Sequence, residues 1–296
     1  MLNYIVWNVN PEIFRLGSLS VRWYGLLWAV GILLALLIGQ KIFKHEKLPE
    51  VWLDKIFIYA VIGGIVGARL GHCLFYEWKL LPEPVQFLGI TFKYGNYYLS
   101  HPWEILYVWH GGLASHGGAI GILIAMYFYN KNVTKKGYLW AFDRLAIGVA
   151  ITGACIRLGN LMNSEIYGNP TNLPWGFIFV RAGETQPMHP TQIYEMLYCL
   201  ITFGVIWWLY WKKEAYKRTG FIFGVFLIGI FGTRFLLEFI KLDQEAFESG
   251  MLLNMGQILS IPFIVWGIWL VARKQKISST SNVNANKNKP VANRKK

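Results

Sequence analysis

Residues 157–168 read Arg157-Leu158-Gly159-Asn160-Leu161-Met162-Asn163-Ser164-Glu165-Ile166-Tyr167-Gly168, and they stand on the end of a largely apolar run, residues 141–160, long enough to cross a bilayer. Hydrocarbon solvates charge poorly, so an arginine, two side-chain amides and a carboxylate at that depth need partners or a water-filled cavity. Ionisable groups inside a membrane segment mark a candidate site. The stretch reads as the headgroup end of a lipid-handling site.

Outward from this point the whole chain has the same character. Of 296 residues, 54% are hydrophobic and 17% aromatic, and only 15% are charged. Apolar windows of spanning length fall at 20–42, 56–77, 111–130, 141–160, 192–211, 220–240 and 255–272, which predicts an all-α membrane protein, a polytopic bundle of about seven transmembrane helices. The third and fourth windows are short and Gly-rich, as suits helices buried among neighbours. Residues 1–19 and 78–110 carry Trp7, Phe14, Trp78, Phe87, Tyr94, Tyr97, Tyr98 and Trp103. Aromatic rings with a polar edge settle at headgroup depth, so two extracytoplasmic interfacial arms and a small periplasmic cap are expected.

Lysine and arginine crowd the loops after spans one, three, five and seven: Lys41, Lys44, Lys47; Lys131, Lys135, Lys136; Lys212, Lys213, Lys217, Arg218; then Arg273 onward. The opposite loops carry Arg15, Arg22, Lys79, Lys93, Arg181 and Lys241, spread thinly. The bias predicts an N-terminus outside the cytoplasm and a C-terminus inside it. The net charge of +13 owes eight positive residues to the tail from Arg273. Residues 277–296 are low-complexity and polar, hence expected to be a disordered cytoplasmic tail beside a single transmembrane domain, 1–276. Nucleic acid is not the expected partner; membrane lipids are. No basic n-region with a compact apolar core and cleavage site opens the chain, so the first helix is read as the targeting signal.

Cys73, Cys155 and Cys199 fall inside predicted spans without Cys-X-X-Cys spacing and are read as small apolar residues. His72, His101, His110, His116 and His189 show no two-histidine helical spacing beside a carboxylate, so no metal is assigned.

Four constellations carry candidate chemistry. Tyr24 lies in Arg22-Trp23-Tyr24-Gly25 at the outer end of span one. Arg69 lies on span two beside Gly63, Gly67 and Gly71, whose spacing of four presents one smooth face to a neighbouring helix. His116, in Gly111-Gly112-Leu113-Ala114-Ser115-His116-Gly117-Gly118, is bracketed by glycines that permit close approach, and a shielded imidazole suits proton transfer. Ser115 and His116 diverge by about 100 degrees on a helix, and no nucleophile elbow is present, which argues against a serine hydrolase. The fourth set joins Arg157 to Arg234 and Glu238, which share a face at i, i+4. Two arginines on separate helices suit bidentate recognition of a phosphate, and His189-Pro190-Thr191-Gln192-Ile193-Tyr194-Glu195 adds polar groups to that face. A multi-pass anion or headgroup transporter is the competing class, but no internal repeat relates two halves, and the polar residues gather towards one leaflet.

These residues together resemble the bacterial prolipoprotein diacylglyceryl transferases, from Trp23-Tyr24-Gly25 to Met255-Gly256-Gln257-Ile258-Leu259-Ser260-Ile261-Pro262. The family motif Gly-Arg-X-Gly-Asn-Phe-X-Asn-X-Glu-X-X-Gly is matched by Arg157, Gly159, Asn160, Asn163, Glu165 and Gly168, with Ile156 for the leading glycine and Leu161 for the phenylalanine. His116-Gly117-Gly118 matches a His-Gly-Gly element, His189 to Gln192 a His-Pro-Ser-Gln element with Thr191 for serine, and Arg234 with Glu238 an Arg-X-X-X-Glu element. A tyrosine that some members carry four residues before that arginine is Ile230 here, so no hydroxyl role is assigned there.

The resemblance implies an enzyme of the bacterial inner membrane, with a periplasmic N-terminus, that moves the diacylglyceryl group of phosphatidylglycerol to the lipobox cysteine of a preprolipoprotein signal peptide, forms a thioether and releases glycerol 1-phosphate, without cofactor or metal. On this reading Arg157 and Arg234 take the phosphate. Asn160, Asn163 and Glu165 order Arg157 and the glycerol, Gly168 allows the turn, and His189 and Gln192 position the site. The nucleophile belongs to the substrate and needs a base; His116 is the first candidate, whether it takes the proton or only orients lipid. Tyr24, Glu238 and Arg69 are further participants.

Overall fold

The computed structural model describes residues 4–17, 19–75, 78–87, 90–107, 112, 114–242 and 253–273. The expected tail, 277–296, lies outside the described residues. Among the described residues, six helices are long and apolar enough to cross a membrane: α1 Trp23–His45, α2 Glu50–Phe75, α5 Tyr138–Met162, α6 Thr191–Lys212, the segment Phe221–Ile240, and α9 Met255–Ala272. The chain is a multi-pass membrane protein. The seventh expected span is α4, Ser115–Tyr129, of 15 residues. At 1.5 Å per residue it reaches about 22 Å, short of a hydrocarbon core of about 30 Å, and it runs on into a π-helical turn, Asn130–Thr134.

Two compact units make up the structure, one from residues 36–145 and the other from residues 1–35 and 146–296. In the first, α2 and α4 pack backbone to backbone on the glycine face that the spacing predicts. A Cβ on Gly67 would lie 2.3 Å from the Gly117 carbonyl oxygen, and one on Gly121 would lie 2.0 Å from that of Gly63. Small residues let helices approach where no water is left to expel, so dispersion contacts hold the pair. Ile58, Ile62, Val66, Ile124 and Phe128 of the same helices remain exposed and line an apolar groove of about 480 Å³, a surface suited to lipid. The segment expected as the second aromatic arm forms the antiparallel pair β4 Trp78–Phe87 and β5 Ile90–Asn96, then α3 Tyr97–Ser100 and a 3₁₀ turn, Pro102–Leu106.

In the second unit the N-terminal arm is tied down. β1 Ile5–Trp7 pairs in parallel with β6 Phe177–Phe179, and β2 Glu12–Leu16 pairs with β3 Leu19–Arg22. Trp7 Nε1 donates to the Leu161 carbonyl at 3.0 Å. Leu161, Phe177, Phe179 and Met188 form a small core with Trp7, Leu158, Tyr167 and Ile193 packed on it. That core braces the chain where it leaves α5. The span 221–240 is interrupted: α7 Phe221–Leu227 gives way to a π turn, Ile228–Gly232, then α8 Thr233–Leu237 and a 3₁₀ turn, Glu238–Ile240. π turns inside helices re-aim the side chains that follow, and Arg234 and Glu238 follow this one.

Candidate functional site

The end of α5 reverses sharply. Ser164 and Ile166 both have positive φ, 53° and 59°, unfavourable for residues with a Cβ and most unfavourable for a β-branched one. The strained reversal folds Glu165 back on the helix: its Oε1 accepts from Asn160 Nδ2 at 2.8 Å and from Asn163 Nδ2 at 3.2 Å. Asn160 Oδ1 in turn accepts from Arg157 Nη1 at 3.2 Å. The first turn of α6 holds the reversal in place. Thr191 Oγ1 donates to the Ile166 carbonyl at 2.7 Å and Gln192 Nε2 to that of Glu165 at 2.6 Å. Thr191 and Gln192 are fully buried, which accounts for polar residues at the mouth of an apolar helix.

Gly168 has a different task from the one expected. The turn is made by Ser164 and Ile166, whereas Gly168 has an ordinary φ and is needed for close packing. A Cβ there would lie 2.4 Å from the Ile240 carbonyl oxygen and 2.7 Å from Thr191 Cγ2. Gly168 bridges to Lys241, and Asn169 N donates to the Ile240 carbonyl at 2.9 Å, so this contact fixes the end of the Arg234 segment against the 157–168 stretch.

Five charges then form one chain. Arg157 Nε lies 2.9 Å from Glu195 Oε2, and Glu195 Oε1 lies 2.7 Å from Lys241 Nζ. Lys241 Nζ is also 3.5 Å from Glu238 Oε1, which lies 3.3 Å from Arg234 Nε. Asn254 Nδ2 supports Glu238 at 3.3 Å. The three central side chains are closed off, Glu195 at 0%, Lys241 at 3% and Glu238 at 4% exposure, whereas Arg157 and Arg234 keep 22% and 26%. Each Nε lies within ion-pair distance of a carboxylate, though that of Arg234 makes no hydrogen bond, and among the described residues no partner takes Nη2 of Arg157 or either Nη of Arg234. Tyr198 is within electrostatic reach of both arginines. Tyr24 packs on Gly159, where a Cβ would meet its Cδ2 at 2.9 Å, and feels the charges of Glu165 and Arg157. His189 joins a second chain: Trp175 Nε1 donates to the Tyr194 hydroxyl at 2.8 Å, and that hydroxyl is 3.2 Å from His189 Nδ1. Burial holds the His189 pKa below the usual imidazole value.

In the other unit Arg69 is 3% exposed and every nitrogen meets a carbonyl: Nε that of Ile105 at 3.0 Å, Nη2 that of Glu104 at 2.8 Å, Nη1 that of Gly112 at 3.3 Å. Its guanidinium also lies 5.0 Å from the Tyr98 ring. It ties Glu104, Ile105 and Gly112 to α2. His116 is in the first turn of α4; its side chain lies outside the described residues. No group of three or more His, Cys, Asp or Glu that could hold a metal occurs among the described residues. Glu195, Lys241 and Asn254 join the site without having been singled out as members. The available signal was burial pattern: Glu195 follows Gln192 by three on one helical face, and Lys241 follows Glu238 by three.

With this geometry in place, the chain can be set beside known proteins. The prolipoprotein diacylglyceryl transferase family matches residues 11–273. The chain belongs to that family. A phosphatidylglycerol–prolipoprotein diacylglyceryl transferase of Porphyromonas gingivalis is 47% identical over 287 residues, covering 92% of this chain and 95% of the relative. Proteins of the same name from Chloroherpeton thalassium and Bacteroides fragilis are 42% and 40% identical, each covering more than nine-tenths of both chains. The family match spans both the strained reversal and the arginine network.

Proposed function

We propose that this protein transfers the diacylglyceryl group of phosphatidylglycerol to the thiol of a prolipoprotein's lipobox cysteine, the first step of lipoprotein maturation. The observation that carries the site assignment is the pair of arginines, each ion-paired at Nε with a buried carboxylate, with Nη2 of Arg157 and both Nη of Arg234 having no partner among the described residues. The substrate sulfur, as thiolate, attacks the carbon of the diacylglyceryl moiety that bears the phosphate ester oxygen. An S–C bond forms, the C–O bond breaks with its electron pair, and glycerol 1-phosphate departs. The phosphate goes from one negative charge towards two as it leaves. Guanidinium donors that tighten on the developing charge therefore stabilise the transition state more than the ground state.

Arg157 and Arg234 take the phosphate, each pre-oriented by its carboxylate. Asn160, Asn163 and Glu165 order Arg157 and face the glycerol, and Thr191 and Gln192 hold the strained turn that brings them together. Tyr24 bounds the site at Gly159, Glu238 orients Arg234, and His189 sets the neighbouring surface. Arg69 supports the segment leading to α4 rather than the headgroup. His116 receives the thiol proton. The enzyme works in the bacterial inner membrane with its N-terminus outside and its C-terminus and basic tail, 277–296, in the cytoplasm, as the lysine and arginine bias supports.

The test is turnover by purified protein in nanodiscs with phosphatidylglycerol and a lipobox peptide, followed by mass spectrometry. A diacylglyceryl adduct on the cysteine peptide and none on its Cys→Ser control is the expected result. No adduct from intact, lipid-binding protein would overturn the reading. His116→Gln should flatten the pH–rate profile; an unchanged profile would remove the base assignment.

A further inference from the structure

Lys241 has no direct work in the reaction just described, yet it is the hub of the charge network. Its side chain is 3% exposed and its ammonium contacts both carboxylates that hold the arginines, at 2.7 and 3.5 Å. Its backbone is fixed by the bridge to Gly168, where no side chain fits. A lysine is rarely buried unless paired, because burial removes its hydration.

The charge count shows what it changes. Without Lys241, Arg157 and Arg234 would face Glu195 and Glu238 one to one, two closed ion pairs with no surplus. Glu165, held by two amides, would leave the neighbourhood at −1. With Lys241 the five-charge chain carries +1, and among the described residues the neighbourhood including Glu165 is neutral. An incoming lipid phosphate therefore meets a repelling site in one case and a receptive one in the other. Sharing each carboxylate between two cations also weakens its hold on the arginine, so guanidinium groups can turn to a ligand without leaving a carboxylate unpaired in a low-dielectric setting.

We propose that Lys241 is a positioning residue that supplies the surplus positive charge of the site, setting its affinity for an anionic lipid headgroup that it does not touch. This rests on the assignment of Arg157 and Arg234 to the phosphate. At an effective dielectric of about 20, one unit charge some 10 Å from the ligand alters binding by roughly tenfold.

The experiment is a binding titration in nanodiscs, read by native mass spectrometry, with phosphatidylglycerol and uncharged diacylglycerol as probes, alongside kinetics. Lys241→Met should weaken phosphatidylglycerol binding by about tenfold or more and raise its KM more than it lowers kcat, with diacylglycerol binding unchanged. Lys241→Arg should restore the affinity. The double variant Lys241→Met/Glu195→Gln, which recovers the +1 count without a lysine, should bind phosphatidylglycerol better than Lys241→Met. That double variant buries no unpaired carboxylate at position 195, so it and Lys241→Arg carry the test if Lys241→Met fails to fold. The proposal is overturned if folded Lys241→Met binds phosphatidylglycerol normally, if both lipids are lost together, or if the double variant binds phosphatidylglycerol tenfold or more weaker than the wild type. Wild-type binding without peptide modification would instead sink the transferase reading and leave the charge argument standing.

Discussion

Arg69 and the Arg157–Arg234 pair are guanidinium groups set into apolar helices, and they differ in what is left over once the protein has satisfied them. Arg69 places each of its three nitrogens on a backbone carbonyl and is 3% exposed. Arg157 and Arg234 place Nε within ion-pair distance of a carboxylate, Arg157 gives Nη1 to Asn160, and among the described residues Nη2 of Arg157 and both Nη of Arg234 have no partner; the two side chains remain 22% and 26% exposed. A buried charge must be neutralised and hydrogen-bonded. The first arginine meets that condition by holding a chain segment and is finished; the other two meet it only in part and have capacity for a ligand. Membrane depth alone therefore does not mark a functional arginine, whereas residual donor capacity does.

The largest effect should come from removing that capacity. Arg157→Ala and Arg234→Ala should each reduce transfer by about a thousandfold or more while the protein still inserts, since a lost transition-state donor in a dry site costs about 3–4 kcal/mol and a second function, anchoring the network, is lost with it. Lysine at either position should recover little, because a point charge lacks the planar fork. Steady-state transfer by size-exclusion-pure variants checks this, and near-wild-type turnover in either alanine variant would erase the distinction from Arg69.

Arg69→Gln should act on the other side of the comparison. Losing charge-assisted bonds to three carbonyls should cost stability by roughly 3 kcal/mol, with phosphatidylglycerol KM changed little in the folded fraction. Thermal unfolding and limited proteolysis around residues 104–112, together with KM, measure it. A normally stable variant with a raised KM would return Arg69 to the headgroup.

How far such roles could be read in advance depends on sequence distance. Arg157, Asn160, Asn163 and Glu165 were legible because helical spacing and one turn bring them together, and the α2 glycines were legible because a period of four defines a face without knowledge of the partner. The Lys241–Glu195 contact was not, since a lysine after a span looks like any loop charge until the Gly168 bridge draws it inward. The reversal at residues 164–166 was hidden for another reason: positive φ falls on serine and isoleucine, where glycine or asparagine would have signalled it. The tie between β1 and β6 escaped because three-residue strands paired in parallel across the chain leave no periodicity to detect.

That strained turn offers a gentler probe of the active region. Ser164 combines positive φ with a buried hydroxyl that has no hydrogen-bond partner among the described residues. Ser164→Gly removes both defects and should stabilise the protein by about 1 kcal/mol. If the strain serves only to aim Glu165, transfer should be retained, because Thr191 and Gln192 still hold the neighbouring carbonyls. A higher unfolding midpoint with a marked loss of turnover would show that rigidity from the serine itself matters to the site.

The smallest expected effect concerns His189, a group held by hydrogen bonding without a countercharge. Trp175 donates to the Tyr194 hydroxyl, which leaves that hydroxyl's proton for His189 Nδ1 and selects the neutral ring with its hydrogen on Nε2. Burial lowers the folded-state pKa of His189 below its ordinary value. The sign follows directly: the unfolded chain takes up the proton first as pH falls, so the stability contributed by the neutral ring is present above about pH 6.5 and is lost on acidification through the lower folded value. Protonation would place a donor on Nδ1 and oblige Tyr194 to accept from both neighbours. The wild-type unfolding midpoint should decline shallowly from pH 7 towards pH 5, and His189→Gln should flatten that decline without altering it above neutrality. An identical slope in both proteins would mean that the Trp175–Tyr194–His189 chain does not fix the protonation state. In that case His189, like Arg157 and Arg234, would have capacity beyond what its protein partners use.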